Sequence, residues 1–151
     1  MKEKIENVKT TRAFLLKAVN QLSEEQLNKI PDGFNNNIIW NLGHMIAAQQ
    51  GICYLRSGLE LRIAENIFHE FKPGSKPERH YNQKEINNIR ELMISTLDQL
   101  ESDLNSQLFE NYTNIVTRYN VELKNITDAV NFLPFHEGLH SGYIMSLRKL
   151  V

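Results

Sequence analysis

The chain has 151 residues, 41% of them hydrophobic, which suits a single domain with a buried core. Its formal charge of −1 offers no broad attraction to nucleic-acid phosphate, and no basic run with interleaved aromatics is present. Its one cysteine, Cys53, excludes an internal disulfide framework and favours a reducing compartment.

The opening residues, Met1-Lys2-Glu3-Lys4-Ile5-Glu6, are charged and amphipathic, unlike the apolar run of a signal peptide. No stretch approaches the ~18 consecutive apolar residues of a membrane helix. The expectation is a cytoplasmic protein with no nucleic-acid or membrane partner.

In chain order, Ile5, Val8, Arg12, Leu15, Leu16, Val19 and Leu22 recur at helical spacing and fall on one side of a first helix. Arg12 is the odd member. Either its stem packs on the core while the guanidinium reaches water, or it points into a pocket to hold an anionic substrate. Ser23-Glu24-Glu25-Gln26 reads as a capping box opening a short turn that Pro31-Asp32-Gly33 ends.

Asn35-Asn36-Asn37 is placed to cap a second long helix from about Ile38 to Ser57, with Gly58 as its terminator. Trp40, Asn41, His44, Ala47, Ala48, Gly51 and Leu55 share a face of it. Small residues beside His44 leave volume for a pocket floor, or for close approach of another helix. Cys53 lies on the opposite side, as a small buried apolar residue would.

A long connection follows from Gly58 to Tyr81, with a short helix expected within Ile63–Phe71 and a loop over Lys72-Pro73-Gly74-Ser75-Lys76-Pro77. Such a link suits a crossover better than a tight hairpin. His69 and His80, which lie in it, have no helical partner at metal spacing and read as surface or loop histidines.

The third helix is expected from about Gln83 to Leu104, with the stripe Ile86, Ile89, Met93, Leu97, Leu100 and Leu104. Alternation at Tyr119-Val121-Leu123 suggests an extended segment or small hairpin. Thr127 could cap the last helix, expected from Thr127 to Leu150, with Asp128 in its first turn. There is no repeat and no domain boundary. The expected architecture is all-α: one domain over residues 1–151, a four-helix bundle with two long crossover links.

The last helix carries His136-Glu137-Gly138-Leu139-His140, whose imidazoles stand one turn apart on one face. As H-E-x-x-H it matches the zinc-protease signature, which requires a third ligand downstream. None of the residues Ser141 to Val151 is His, Asp, Glu or Cys, and no strand-rich cleft subdomain is evident. A peptidase is therefore not expected. The remaining constellation is His44 from the second helix with His136 and His140 from the last, a metal site built across a bundle interior. Three neutral nitrogens suit zinc, nickel, copper or iron better than magnesium or calcium, and leave a coordination position open. The alternative is that these are satisfied core histidines, or that His136 and His140 lie on a wet surface.

Trp40-Asn41-Leu42-Gly43-His44-Met45-Ile46, followed much later by His136-Glu137-Gly138-Leu139-His140-Ser141-Gly142-Tyr143-Ile144, resembles the DinB-like (YfiT-like) superfamily of metal-dependent enzymes. That family pairs a histidine on the second helix with His-x-x-x-His on the last, often followed by x-Gly-Gln-Ile. Phe71-Lys72-Pro73-Gly74-Ser75-Lys76-Pro77 also looks like its linker, so the resemblance covers nearly the whole chain. It implies an up-down-down-up bundle and a divalent transition metal, zinc or nickel, held by His44, His136 and His140. It also implies a homodimer. The family is unrelated to the DNA polymerase of similar name.

This chain has Tyr143 where the family usually has Gln. Its phenol could hydrogen-bond a ligand on the metal, or be aromatic packing. Glu137 could act as a base, or be an exposed carboxylate or a support to a ligand. Characterised relatives include transferases and isomerases that use low-molecular-weight thiols, so the resemblance implies a metal-dependent thiol transferase acting on a small molecule. A metal-dependent hydrolase, and a metal-binding or stress-associated module without turnover, are the alternatives.

Overall fold

The structure, a computed structural model, describes Met1–Val151. Six α-helices and one two-stranded hairpin make up its regular structure. Four long helical segments form the bundle: α1 (Lys2–Ala18), α3 (Ile38–Gln49), α5 (Gln83–Asn105) and α6 (Ile126–Leu147). The short α2 (Glu24–Asn28) and α4 (Glu65–Phe71) lie in connections, as do β1 (Ile115–Val116) and β2 (Glu122–Leu123).

Local chemistry sets most of the boundaries. The Ser23 hydroxyl accepts from the Gln26 amide while Gln26 answers at the Ser23 N–H, the expected reciprocal cap of α2. Asn82 and Glu85 repeat that arrangement at α5. The Asn37 side chain accepts from the Trp40 amide to start α3. The helical path beyond α3 changes pitch, through a π turn over Gln50–Tyr54 and a 3₁₀ turn over Leu55–Ser57. It stops at Gly58, whose φ of 70° lies in the left-handed region that glycine adopts most readily.

Two expected boundaries shift. Asn125, not Thr127, caps the last helix, its side-chain oxygen accepting from the Asp128 amide; the helix therefore begins at Ile126 and ends at Leu147 rather than Leu150. Asn outranks Thr as a cap, and Thr127 is already inside the first turn. His69 lies in α4, exposed, and His80 is exposed beside Glu24 at 2.7 Å.

Directions follow from which residues meet. Lys9 and Arg12 reach Glu101 and Met93, so α1 and α5 are antiparallel. Met1 and Arg12 reach Thr127 and Glu137, so α1 and α6 are parallel. Gln49 and Tyr54 reach Thr96 and Asp103, so the α3 segment runs with α5. The topology is up-down-down-up. Only the α3-to-α5 connection joins consecutive helices that run the same way, and its long link contains α4. The helices α5 and α6 run in opposite directions, and the hairpin lies in the link between them.

All twelve residues of α3 are buried. A helix apolar on every side belongs in the middle, and α2, α4, α5 and α6 surround this one. Gly43 and Gly51 explain how α4 lies so close. A Cβ on Gly43 would stand 2.5 Å from the Phe71 ring, and one on Gly51 would meet Phe68 at 3.6 Å. Of the two accounts of the small residues on the His44 face, close helix approach is the one the packing supports at Gly51. No helix is long and apolar enough to cross a membrane.

The apolar interior falls into two clusters. One gathers Leu15, Ile39, Met45, Phe71, Ile86, Met93 and Ile144, among others. The second gathers Ile5, Val8, Cys53, Tyr54, Leu97, Leu100 and Leu133. Between them in every one of the four helices lies a buried polar residue: Arg12, Gln49, Thr96 and Glu137.

Candidate metal centre

The structure brings the three histidines together. One ring nitrogen from each of His44, His136 and His140 lies within 4.8 Å of the other two. The ring centroids are 5.3 Å apart for His44–His136, 4.8 Å for His44–His140 and 4.6 Å for His136–His140. The last value is what i,i+4 spacing on α6 provides; the antiparallel crossing of α3 supplies the third ring.

Two of the rings are held by named partners. His44 places Nδ1 2.7 Å from the carbonyl oxygen of Phe71, at the end of α4. A carbonyl only accepts, so this Nδ1 carries the proton and Nε2 presents a lone pair. His140 places Nδ1 2.9 Å from Oδ1 of Asn41. The Asn41 amide nitrogen donates to the Asn37 carbonyl at 2.7 Å and to Asn36 Oδ1 at 3.0 Å. That fixes which Asn41 atom faces His140, so Nε2 of His140 is again the free base. Imidazole ligands are commonly oriented this way, by a carbonyl or amide oxygen on the other nitrogen. Trp40 stacks on His44 with centroids 4.6 Å apart and planes within 11°.

His136 differs. Its Nδ1 is buried and has no hydrogen-bond partner. Leaving such an atom unsatisfied costs ~1–3 kcal/mol. Burial pushes this ring's pKa down to about 3, helped by the charges that His140, His44 and Arg12 would place beside it. Burial likewise pushes His140 down to about 4, with His44 and Arg118 adding to the effect. His44 is also lowered by burial, against the opposing pull of the Phe71 carbonyl and with a contribution from Arg118. Three neutral, converging imidazoles with an orphaned ring nitrogen among them are a donor set that a borderline transition metal fits, and a hard, oxygen-seeking ion does not.

Glu137 is not at this centre, nor is it exposed. Its carboxylate is buried and turned to Arg12, which donates from Nε to both oxygens at 3.2 Å and from Nη2 to Oε1 at 2.8 Å. Burial raises the Glu137 carboxyl above its ordinary range despite the opposing pull of Arg12. Arg12 therefore neither reaches water nor faces a substrate; its exposure is 0%. The reason is positional: residue 137 lies ~100° around the helix from 136, which turns it to the bundle axis instead of toward α3. Tyr143 packs edge-on against Phe34, with centroids 5.5 Å apart, beside the first apolar cluster.

Three contributions were not legible in the sequence. Asn41 stands on the His44 face, as expected, but its bond to His140 on another helix has no local signature. The Phe71 contact is made by backbone and has no side-chain signature. Arg118, exposed on the hairpin, is near enough for its charge to depress both His44 and His140. Its guanidinium lies 5.6 Å from the Tyr119 ring, which packs on Phe135 at 5.2 Å; Phe132, also on α6, stands 6.1 Å from His136. The hairpin thus forms one wall beside the histidines.

The family model described as the DinB superfamily matches residues 7–144, a span that contains all three histidines. None of the curated proteins matches the chain. Sequence match, helical architecture and the placement of His44, His136 and His140 agree: the chain belongs to the DinB superfamily.

Proposed function

We propose that this protein is a metal-dependent transferase in which His44, His136 and His140 hold one zinc or nickel ion and a low-molecular-weight thiol is the nucleophile. The observation that carries the reading is a three-imidazole set with no carboxylate or thiol joined to it. Three protein ligands with a fourth position open is the pattern of catalytic rather than structural sites. The metal would stabilise thiolate over thiol at neutral pH.

The surrounding residues suit such a substrate. Arg118 contributes positive charge where an anionic sulfur would sit. Trp40, Phe132 and Tyr119 supply apolar walls. The protein's own thiol is unsuited to the role. Cys53 is fully buried, and burial pushes its pKa up to about 12. The net reaction forms a carbon–sulfur bond, expels the electrophile's leaving group and releases the thiol proton to solvent. We place the protein in the cytoplasm, as a homodimer.

The test uses protein purified without an affinity tag. Elemental analysis should find about one transition metal per chain, absent from His44→Ala. The loaded protein should then join a chlorinated aromatic electrophile to a cellular thiol, with chloride released. Tyr143→Phe should retain the activity if Tyr143 only packs. Ester or amide turnover indifferent to thiol would replace the transferase reading with a hydrolase. Metal without any turnover would leave a binding module, and absence of metal would remove the centre altogether.

A further inference from the structure

Arg12 donates to every other long helix of the bundle. Besides Glu137 of α6, its Nη1 reaches Gln49 Oε1 at 3.2 Å, the Met93 carbonyl at 3.0 Å and Thr96 Oγ1 at 3.3 Å. Its Nη2 reaches the Met45 carbonyl at 3.1 Å. Thr96 and Gln49 are tied to each other as well, at 3.0 Å through Oγ1 and at 3.0 Å through Nε2 to the Thr96 carbonyl. Two of these acceptors directly follow histidines of the metal centre: Met45 follows His44, and Glu137 follows His136. One guanidinium thus bridges the two helices that supply the ligands, one residue away from a ligand on each.

We infer that Arg12 and Glu137 are positioning residues for the metal centre: their paired fork sets the rotation and height of α6 against α3, so that the three imidazoles converge. This rests on the metal reading above. Stability alone is a weak reason for the arrangement. Replacing a buried ion pair by apolar residues of similar volume is often neutral or stabilising, because desolvation offsets the attraction. Apolar contacts between helices slide and rotate at low cost, whereas a planar five-donor fork with acceptors on three helices fits one register. The tolerance required is small. With side-chain tips ~5–6 Å from the helix axis, a rotation of roughly 20° moves one by ~2 Å. Metal–ligand distances hold to about 0.2 Å. The polar layer separates the two apolar clusters, so neither cluster by itself fixes that rotation at the height of His136.

The experiment compares wild type with the double variant Arg12→Met/Glu137→Leu, monitoring far-UV circular dichroism, thermal unfolding and zinc affinity by chelator competition. The expected result is a folded helical protein whose zinc affinity falls roughly 10- to 100-fold, the range seen when supports of metal ligands are removed. Cobalt substitution should show the change in ligand geometry directly, as a weakened and shifted visible spectrum. Unchanged zinc affinity in a folded double variant overturns the inference while leaving the metal centre standing. A wild type that binds no zinc overturns both. If the double variant does not fold, Arg12→Lys keeps the charge and removes the fork. A fall in its zinc affinity of about tenfold supports the positioning role, and wild-type affinity refutes it.

Discussion

Asn41 holds its side-chain oxygen 2.9 Å from Nδ1 of His140, while its amide nitrogen is committed to the backbone that caps the same helix. The start of α3 and the orientation of a ring on α6 are therefore one hydrogen-bonded unit. Asn41→Ala should cut zinc affinity roughly 10- to 100-fold with the fold intact. Chelator competition measures it. A variant that binds zinc as tightly as wild type would mean the His140 ring is oriented by packing alone.

The metal-free protein should lose stability on mild acidification. Burial holds His136 down to about 3 and His140 down to about 4, against an ordinary value of 6.5. Below 6.5 the unfolded chain takes up protons that the folded one refuses, so stability falls as pH drops through that window. The slope is about 1.4 kcal/mol per pH unit for each such ring. Thermal midpoints between pH 7.5 and 5 should show it, and His136→Gln should flatten it by one ring's share. A pH-independent midpoint would contradict neutral, buried imidazoles.

Gly43→Ala should damage both the fold and the site. Its Cβ would stand 2.5 Å from the Phe71 ring, which is 1% exposed and has nowhere to retreat. Overpacking of this kind costs ~1–3 kcal/mol. Because the Phe71 carbonyl orients His44, metal affinity should fall in the same variant. Denaturant titration and zinc binding should move together; loss of one without the other would separate α4 from the metal centre.

Arg118→Gln should weaken binding of anionic ligands to the loaded protein without altering metal content. The expected loss is roughly fivefold at low salt and less at high salt, as for an exposed charge. Comparing a carboxylated thiol with a neutral one isolates the effect. Equal losses for both would assign Arg118 to the hairpin's own packing.

Cys53 should resist alkylation in the native protein and react only on unfolding, given its burial and a pKa pushed up to about 12. Mass spectrometry after maleimide treatment reads this directly. Native labelling would reopen the question of which thiol the protein uses.

The helical period was enough to place three histidines on the right faces, because 3.6 residues per turn is a local property of the chain. Caps at Ser23, Asn37 and Gly58 were legible for the same reason: each acts within three or four residues. Arg12 was visible as an intruder in an apolar stripe, and Glu137 as a carboxylate beside a ligand. Their pairing was not visible, since it joins residues 125 positions apart through the relative rotation of two helices. The same holds for Phe71, whose backbone oxygen orients His44 from another helix, and for Arg118, which the hairpin brings beside the histidines. The sequence by itself determined which side chains could bind a metal. Only the packing of α3, α4 and α6 decided which nitrogen His44 and His140 present, and turned Glu137 away from the histidines to Arg12, because a buried carboxylate goes to the guanidinium that its helix register puts within reach.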